Sequence, residues 1–218
     1  MRPVALSPLQ NMILAKLGEV QYATPKQLQE WCGVKQSTIY DANNVLLNEG
    51  LIDGYLHSRP AILHLTTVGG RLLDKPLPAG RRNASWSVMS HACHLSEVQT
   101  LMAASRPGFR MLPREVLFKQ GLFPAFGEHG AIDDEGKSWF VLLDDYLMTS
   151  DRISRSWTRR HTPSKKHWPD PTGRVWRDVV QKFLVVSTDE PNAARHRAWV
   201  QKNRLPADVV QLTPLWKS

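Results

Sequence analysis

Cysteine is nearly missing from this sequence. Cys32 and Cys93 are the whole supply in 218 residues, too few for a disulfide framework and not spaced as paired metal ligands. Long hydrophobic runs are missing too: no stretch approaches the roughly 18 apolar residues of a membrane span. The opening MRPVALSPLQ lacks the apolar run of a signal peptide. These absences lead to the expectation of a protein of the reducing cytoplasm with no membrane partner. Catalytic signatures are equally scarce, with no G-x-S-x-G, P-loop, Rossmann glycine triplet or H-E-x-x-H. Acidic residues are in deficit: 20 Asp and Glu face 28 Lys and Arg, for a net charge of +8 and a pI of about 9.7. A basic balance points to a polyanion, most often nucleic acid.

Enough is present to fold. Hydrophobic residues make up 42 % of the chain, sufficient for one large domain or two small ones. Ser7-Pro8-Leu9-Gln10 reads as a helix start, with a capping serine, a proline in the first turn and a glutamine that reaches back. Leu9, Met12, Ile13 and Leu17 follow at helical spacing, and Gly18 is expected to end the helix. Thr24-Pro25-Lys26-Gln27 repeats the device, Leu28 and Trp31 give this short helix an apolar side, and Gly33 suits a left-handed cap.

A third helix is expected from Ser37 or its neighbour to Glu49-Gly50. Ile39, Ala42, Val45 and Leu46 are assigned to its packed side, and Gln36, Ser37, Tyr40, Asp41, Asn44 and Asn48 to its open side. Two short helices joined by a glycine turn, the second polar outside, describe a helix-turn-helix. Gly54–His57 and Ala61–Leu65 read as strands joined at Ser58-Arg59-Pro60, and Thr66 onward as a further helix.

The segment NEGLIDGYLHSRPAILHLTTVGGRLL, with its EGLI, its strand and its LTTVGG, resembles the winged-helix DNA-binding family over about residues 5–75. The resemblance implies a supporting helix at 24–32 and a recognition helix at 36–48. That helix would offer Gln36, Ser37, Thr38, Tyr40 and Asn44 to a major groove of double-stranded DNA, amides suiting adenine and hydroxyls either base or phosphate. Lys35 at the helix start and Arg59 at the wing tip would touch phosphate. The bland reading makes all of these ordinary solvated side chains. Residues 1–75 hold seven Lys and Arg against six Asp and Glu, so contacts there are expected to be doubled by a homodimer.

Residues 76–86 read as a linker carrying Arg81 and Arg82. In 87–218, His91, Leu95, Val98, Leu101 and Met102 suggest an amphipathic helix. His91, Cys93 and His94 are read as surface or core residues, not ligands, and no cofactor is expected. RMLPREVLF, SWFVLLDDY, KFLVVST and VVQLTP read as strands, with a helix from Pro191 between the last two. The fold expected is therefore α+β or α/β in two domains, 1–75 and 87–218, with some parallel pairing in the second. Residues 151–182 carry nine Lys and Arg against three Asp, interleaved with Trp157, Trp168 and Trp176. Cations beside aromatic rings suit a phosphate-facing loop, with Arg155, Arg159, Arg160, Lys165 and Lys166 as candidates.

A winged helix before an α/β domain with acids at Glu115, Asp133, Asp134, Asp144 and Asp145 resembles the replication-relaxation family. These are accessory proteins of plasmids and other mobile elements, with a second domain like a restriction endonuclease. The resemblance implies a DNA regulator or processing factor that works among other proteins of a DNA-processing complex. A metal-dependent nuclease centred on Asp133 and Asp144 is the alternative. The lysine expected two residues beyond the second acid is missing, since Tyr146 and Leu147 stand there, so the domain reads as non-catalytic. A protein-interaction scaffold is a third reading.

Overall fold

The computed structural model describes residues 5–55, 60–73, 84–112, 114–119, 127–145, 182–204 and 207–214. Within them the fold mixes helix and strand and contains two sheets. The chain divides into two compact units, one running to Ser96 and the other from Glu97 to Thr213. The division falls inside a helix, beyond the segment read as linker.

The first unit opens with α1 (Pro8–Val20), α2 (Pro25–Cys32) and α3 (Gln36–Asn48). Both expected capping boxes form: Ser7 with Gln10, and Thr24 with Gln27. Each box satisfies amides that the first helical turn leaves without partners. Gly18 does not end α1. The helix runs through it, and Gln21 at φ 74° closes the turn by donating to the Leu17 carbonyl at 2.9 Å. Ile13, Leu14 and Leu17 already anchor this helix in the core, so the roughly 1 kcal/mol that an internal glycine costs is absorbed.

The hairpin β1 (Ile52–Tyr55) and β2 (Ile62–Leu65) is antiparallel, with Ile52 opposite Leu65 and Tyr55 opposite Ile62. β1 begins earlier than expected, because buried Leu51 and Ile52 pull it straight out of the turn after α3. Ala23 adds a single bridge to Leu63. α4 (Thr67–Leu72) follows, so the order helix, helix, helix, hairpin, helix is the one the resemblance implies. One core joins these elements, built from Ile13, Leu17, Leu28, Ile39, Leu46, Ile52 and Leu63 among others.

The LTTVGG motif has a local physical cause. The Thr66 hydroxyl accepts from the Gly69 N–H at 3.1 Å and lies 2.6 Å from the Gly50 carbonyl. The Thr66 N–H donates to the Leu51 carbonyl at 3.1 Å. Gly69 is pressed so close that a Cβ there would lie 2.0 Å from the same Leu51 oxygen.

α5 (Trp86–Ser105) is not the amphipathic helix expected. Met89, Ser90, His91, Cys93, His94, Ser96, Glu97 and Val98 are all buried, while Trp86, Val88 and Leu101 are exposed, so burial does not follow the spacing of one apolar face. In the first unit Met89 and Cys93 pack with Tyr22 and Ile62, and the Gln27 amide donates to the Cys93 carbonyl at 3.0 Å.

The second unit holds a five-stranded sheet in the order β3-β4-β5-β6-β7. Its strands are β3 (Arg110–Met111), β4 (Glu128–Ile132), β5 (Ser138–Asp144), β6 (Lys182–Ser187) and β7 (Ala207–Gln211). β3, β4 and β5 pair antiparallel, and β5, β6 and β7 pair parallel. RMLPREVLF is not one strand: β3 covers its first two residues, and Arg114 to Phe118 belong to α6 (Arg114–Lys119). The proline ahead of Arg114 suits a helix start better than a strand interior. β4 is not among the expected strands, and α7 (Glu190–Lys202) crosses between β6 and β7 from an Asp189 cap.

The close approach at Gly69 makes a direct test. Gly69→Ala is expected to cost about 3 kcal/mol, because the new methyl must displace α4 from the Leu51 carbonyl. Gly33→Ala, where nothing lies within 4 Å and only φ +65° is unfavourable, should cost about 1 kcal/mol. Urea unfolding midpoints of the two variants check the order.

Candidate nucleic-acid interface

The helix pair at residues 25–48 is built to hold α3 by one side. Gly33, at φ 65°, ends α2 in the left-handed conformation and donates to the Gln29 carbonyl at 3.0 Å. Val34 turns into the core, and Lys35 begins α3 as its cap residue without a side-chain cap bond. Ile39, Ala42 and Leu46 then seat the helix.

Two assignments on α3 are corrected. Val45, expected on the packed side, is 43 % exposed. The residue that packs instead is Asn43, 3 % exposed. At 3.6 residues per turn the buried set 39, 42, 43, 46 follows the i, i+3, i+4, i+7 rule, and position 45 falls outside it. Neither polar atom of the Asn43 amide has a hydrogen-bond partner, a state that costs about 1–3 kcal/mol.

The open side matches expectation in composition. Lys35, Gln36, Ser37, Thr38, Tyr40, Asp41, Asn44 and Asn48 are all exposed. Gln36, Tyr40, Asn44 and Asn48 recur every fourth residue and form one stripe, with Ser37 beside it. Asp41 borders the stripe next to Ser37 and Asn48, whereas Thr38 lies on the far flank with Val45, so the structure does not bring Thr38 together with the other candidates. Among the described residues, none of these exposed polar side chains on α3 makes a hydrogen bond or ion pair. Other helices use theirs: Lys16 pairs with Glu19 at 3.1 Å on α1, and Arg197 with Glu190 at 2.8 Å on α7. The open face of α3 therefore keeps its hydrogen-bonding capacity unspent.

Arg59, Arg81, Arg82, Arg155, Arg159, Arg160, Lys165 and Lys166 lie outside the described residues, as do residues 151–181, which hold the last five; Lys182, the final cation of the basic segment, begins β6.

The acids of the nuclease alternative are not brought together. Asp133 sits in the β4–β5 turn, accepting from the Lys137 N–H at 2.8 Å and from Trp139 Nε1 at 2.9 Å. Asp144 closes the other end of β5, about 20 Å away at 3.3 Å per residue. There it is buried and bonded to His196 Nε2 of α7 at 2.7 Å, an internal tie between sheet and helix. Among the described residues no three His, Cys, Asp or Glu side chains converge as a metal site. Desolvation pushes the Asp133 carboxyl up. The Trp139 and Lys137 hydrogen bonds, with the Lys137 charge, outweigh it and hold the group below its ordinary value.

No protein-family model matches the chain, and no curated protein matches it. Among solved structures, the adhesin competence repressor (AdcR) of Streptococcus pyogenes aligns with 54% of this chain and 69% of its own. The identity is 18% and the TM-score 0.28, a slight likeness on which nothing below depends. Among the described residues no helix is long and apolar enough to cross a membrane.

Stability measurements check both parts of this picture. Asn44→Ala should change stability by less than about 0.5 kcal/mol, because the side chain holds nothing in the fold, whereas Ile39→Ala should cost about 3 kcal/mol. Thermal unfolding separates them. Asp133, with its folded pKa depressed, contributes stability that is present above the ordinary aspartate value of 3.8 and lost as the pH falls through the lower folded value. Urea unfolding across pH 2 to 6, roughly the range over which aspartates titrate, should show that acid limb shrink in Asp133→Asn.

Proposed function

We propose that this chain is a sequence-specific double-stranded DNA-binding protein, with residues 1–75 as its winged-helix reading domain and α3 as the helix that enters the major groove. One observation carries the reading: the exposed side of α3 is a field of unpaired hydrogen-bonding side chains on a helix fixed rigidly from behind. Helix-turn-helix readers present such a face to base edges. The second helix of the pair, the glycine turn and the following hairpin supply the matching layout.

The role that fits is a transcriptional regulator or an accessory DNA-processing factor of a plasmid- or phage-type mobile element. The mobile-element setting rests on the sequence layout alone. Residues 87–218 would add non-specific affinity through the basic segment 151–182, dimer contacts, or both. A homodimer suits the charge, because residues 1–75 are nearly neutral and one copy offers little phosphate attraction.

A gel shift on a pool of random duplexes tests the reading. Retarded complexes whose affinity falls steeply with added salt are expected. Absence of any shift at low salt overturns the proposal and favours the protein-interaction scaffold.

A further inference from the structure

α3 carries almost no charge on its open face. Between Gln36 and Asn48 the only exposed ionic side chain is Asp41, and its sign opposes phosphate. Three of the exposed side chains there, Gln36, Asn44 and Asn48, are amides. Asn and Gln pair bidentately with the N6 and N7 edge of adenine, and each good pair of that kind discriminates about tenfold to a hundredfold against the wrong base. Gln36 and Asn44 stand on one stripe eight residues apart, about 12 Å along the helix axis at 1.5 Å per residue. With base pairs spaced about 3.4 Å, that separation spans three to four steps of duplex. Both side chains are exposed, and neither has a hydrogen bond to break before it reaches a base.

We infer that α3 reads its DNA through neutral amides, selecting adenine at two positions three to four base pairs apart, and contributes base discrimination while making little phosphate contact. This rests on the DNA-binding reading above and specifies the chemistry of that face. Asp41 works in the same direction, since a carboxylate in the groove weakens indiscriminate attraction to the backbone and leaves correct amide pairing as the source of affinity.

The experiment is selection and sequencing from a random duplex pool with the full chain, then salt titration of the enriched site with wild type, Asn44→Ala and Gln36→Ala. The expected motif is rich in A·T, with two adenines at the stated spacing. Each variant should bind it about tenfold to a hundredfold more weakly, lose preference at one adenine, and keep the slope of log K against log salt. A G·C-centred motif, binding without enrichment, or variants that flatten the salt slope without relaxing any base would overturn the amide reading while DNA binding stands. No binding of any duplex at low salt would overturn both. Unchanged melting temperatures in the two variants separate lost recognition from lost folding.

Discussion

The first unit depends on the way Thr66 and Gly69 meet the chain at Gly50–Leu51. α3 must stop, reverse and hand the chain to β1 within a few residues, and that exit leaves carbonyls needing donors. The Thr66 hydroxyl and N–H approach the Gly50 and Leu51 carbonyls from across the hairpin, while Gly69 gives the space for α4 to come that near. One short segment thereby closes the sheet, caps α4 and fixes where α3 ends. Without these hydrogen bonds the direction of α3 would be set only by its apolar residues, which resist lateral displacement better than rotation about the helix axis.

Rigid support at the back explains how the front of α3 can be spent on nothing internal. Ile39, Ala42 and Leu46 are packed, and the capping box of α2 with the Gln27–Cys93 bond holds the supporting helix. The polar side chains of α3 are then free of structural duty. Asn43 is the exception on the buried side, an unsatisfied amide next to an otherwise apolar seat. Its cost is borne by the surrounding core, and nothing in the packing explains why an apolar residue does not stand there.

Much of this fold is legible in the sequence, and the reasons are local. Capping boxes, a glycine at positive φ and a continuously apolar strand each obey rules that operate over a few residues, and Ser7, Thr24, Gly33 and SWFVLLD all behave accordingly. The failures are tertiary. Gly18 reads as a stop signal, but the core beneath α1 outweighs its propensity. The middle of α5, from Met89 to Val98, buries polar and apolar residues alike, so no clear period survives in its sequence. EHGAI holds a glutamate, a histidine and a glycine, and its pairing with β5 on one side and β3 on the other makes it a strand. The candidate interface is legible in residue type and less so in angle. Thr38 and Val45 each have neighbours in sequence that suggest one side of α3, whereas turn-by-turn counting places both on the flank facing away from the amide stripe.

The distribution of charge bears on how such a face could work. Phosphate attraction is independent of sequence, so a domain that gripped DNA chiefly through cations would bind everywhere with similar strength. In this chain the seven cations and six acids of residues 1–75 nearly cancel, while nine cations and three acids stand together at 151–182. Affinity and discrimination can then reside in different segments. If α3 is the reading helix proposed, its neutral face would gain little from the wrong sequence, because unpaired amides in a groove lose water without replacing it. On the DNA-binding proposal, a separate basic segment would supply the attraction that keeps the reading helix near DNA while it samples sites. The separation also makes the two contributions experimentally distinct, since salt weakens the second and leaves the hydrogen bonds of the first largely untouched.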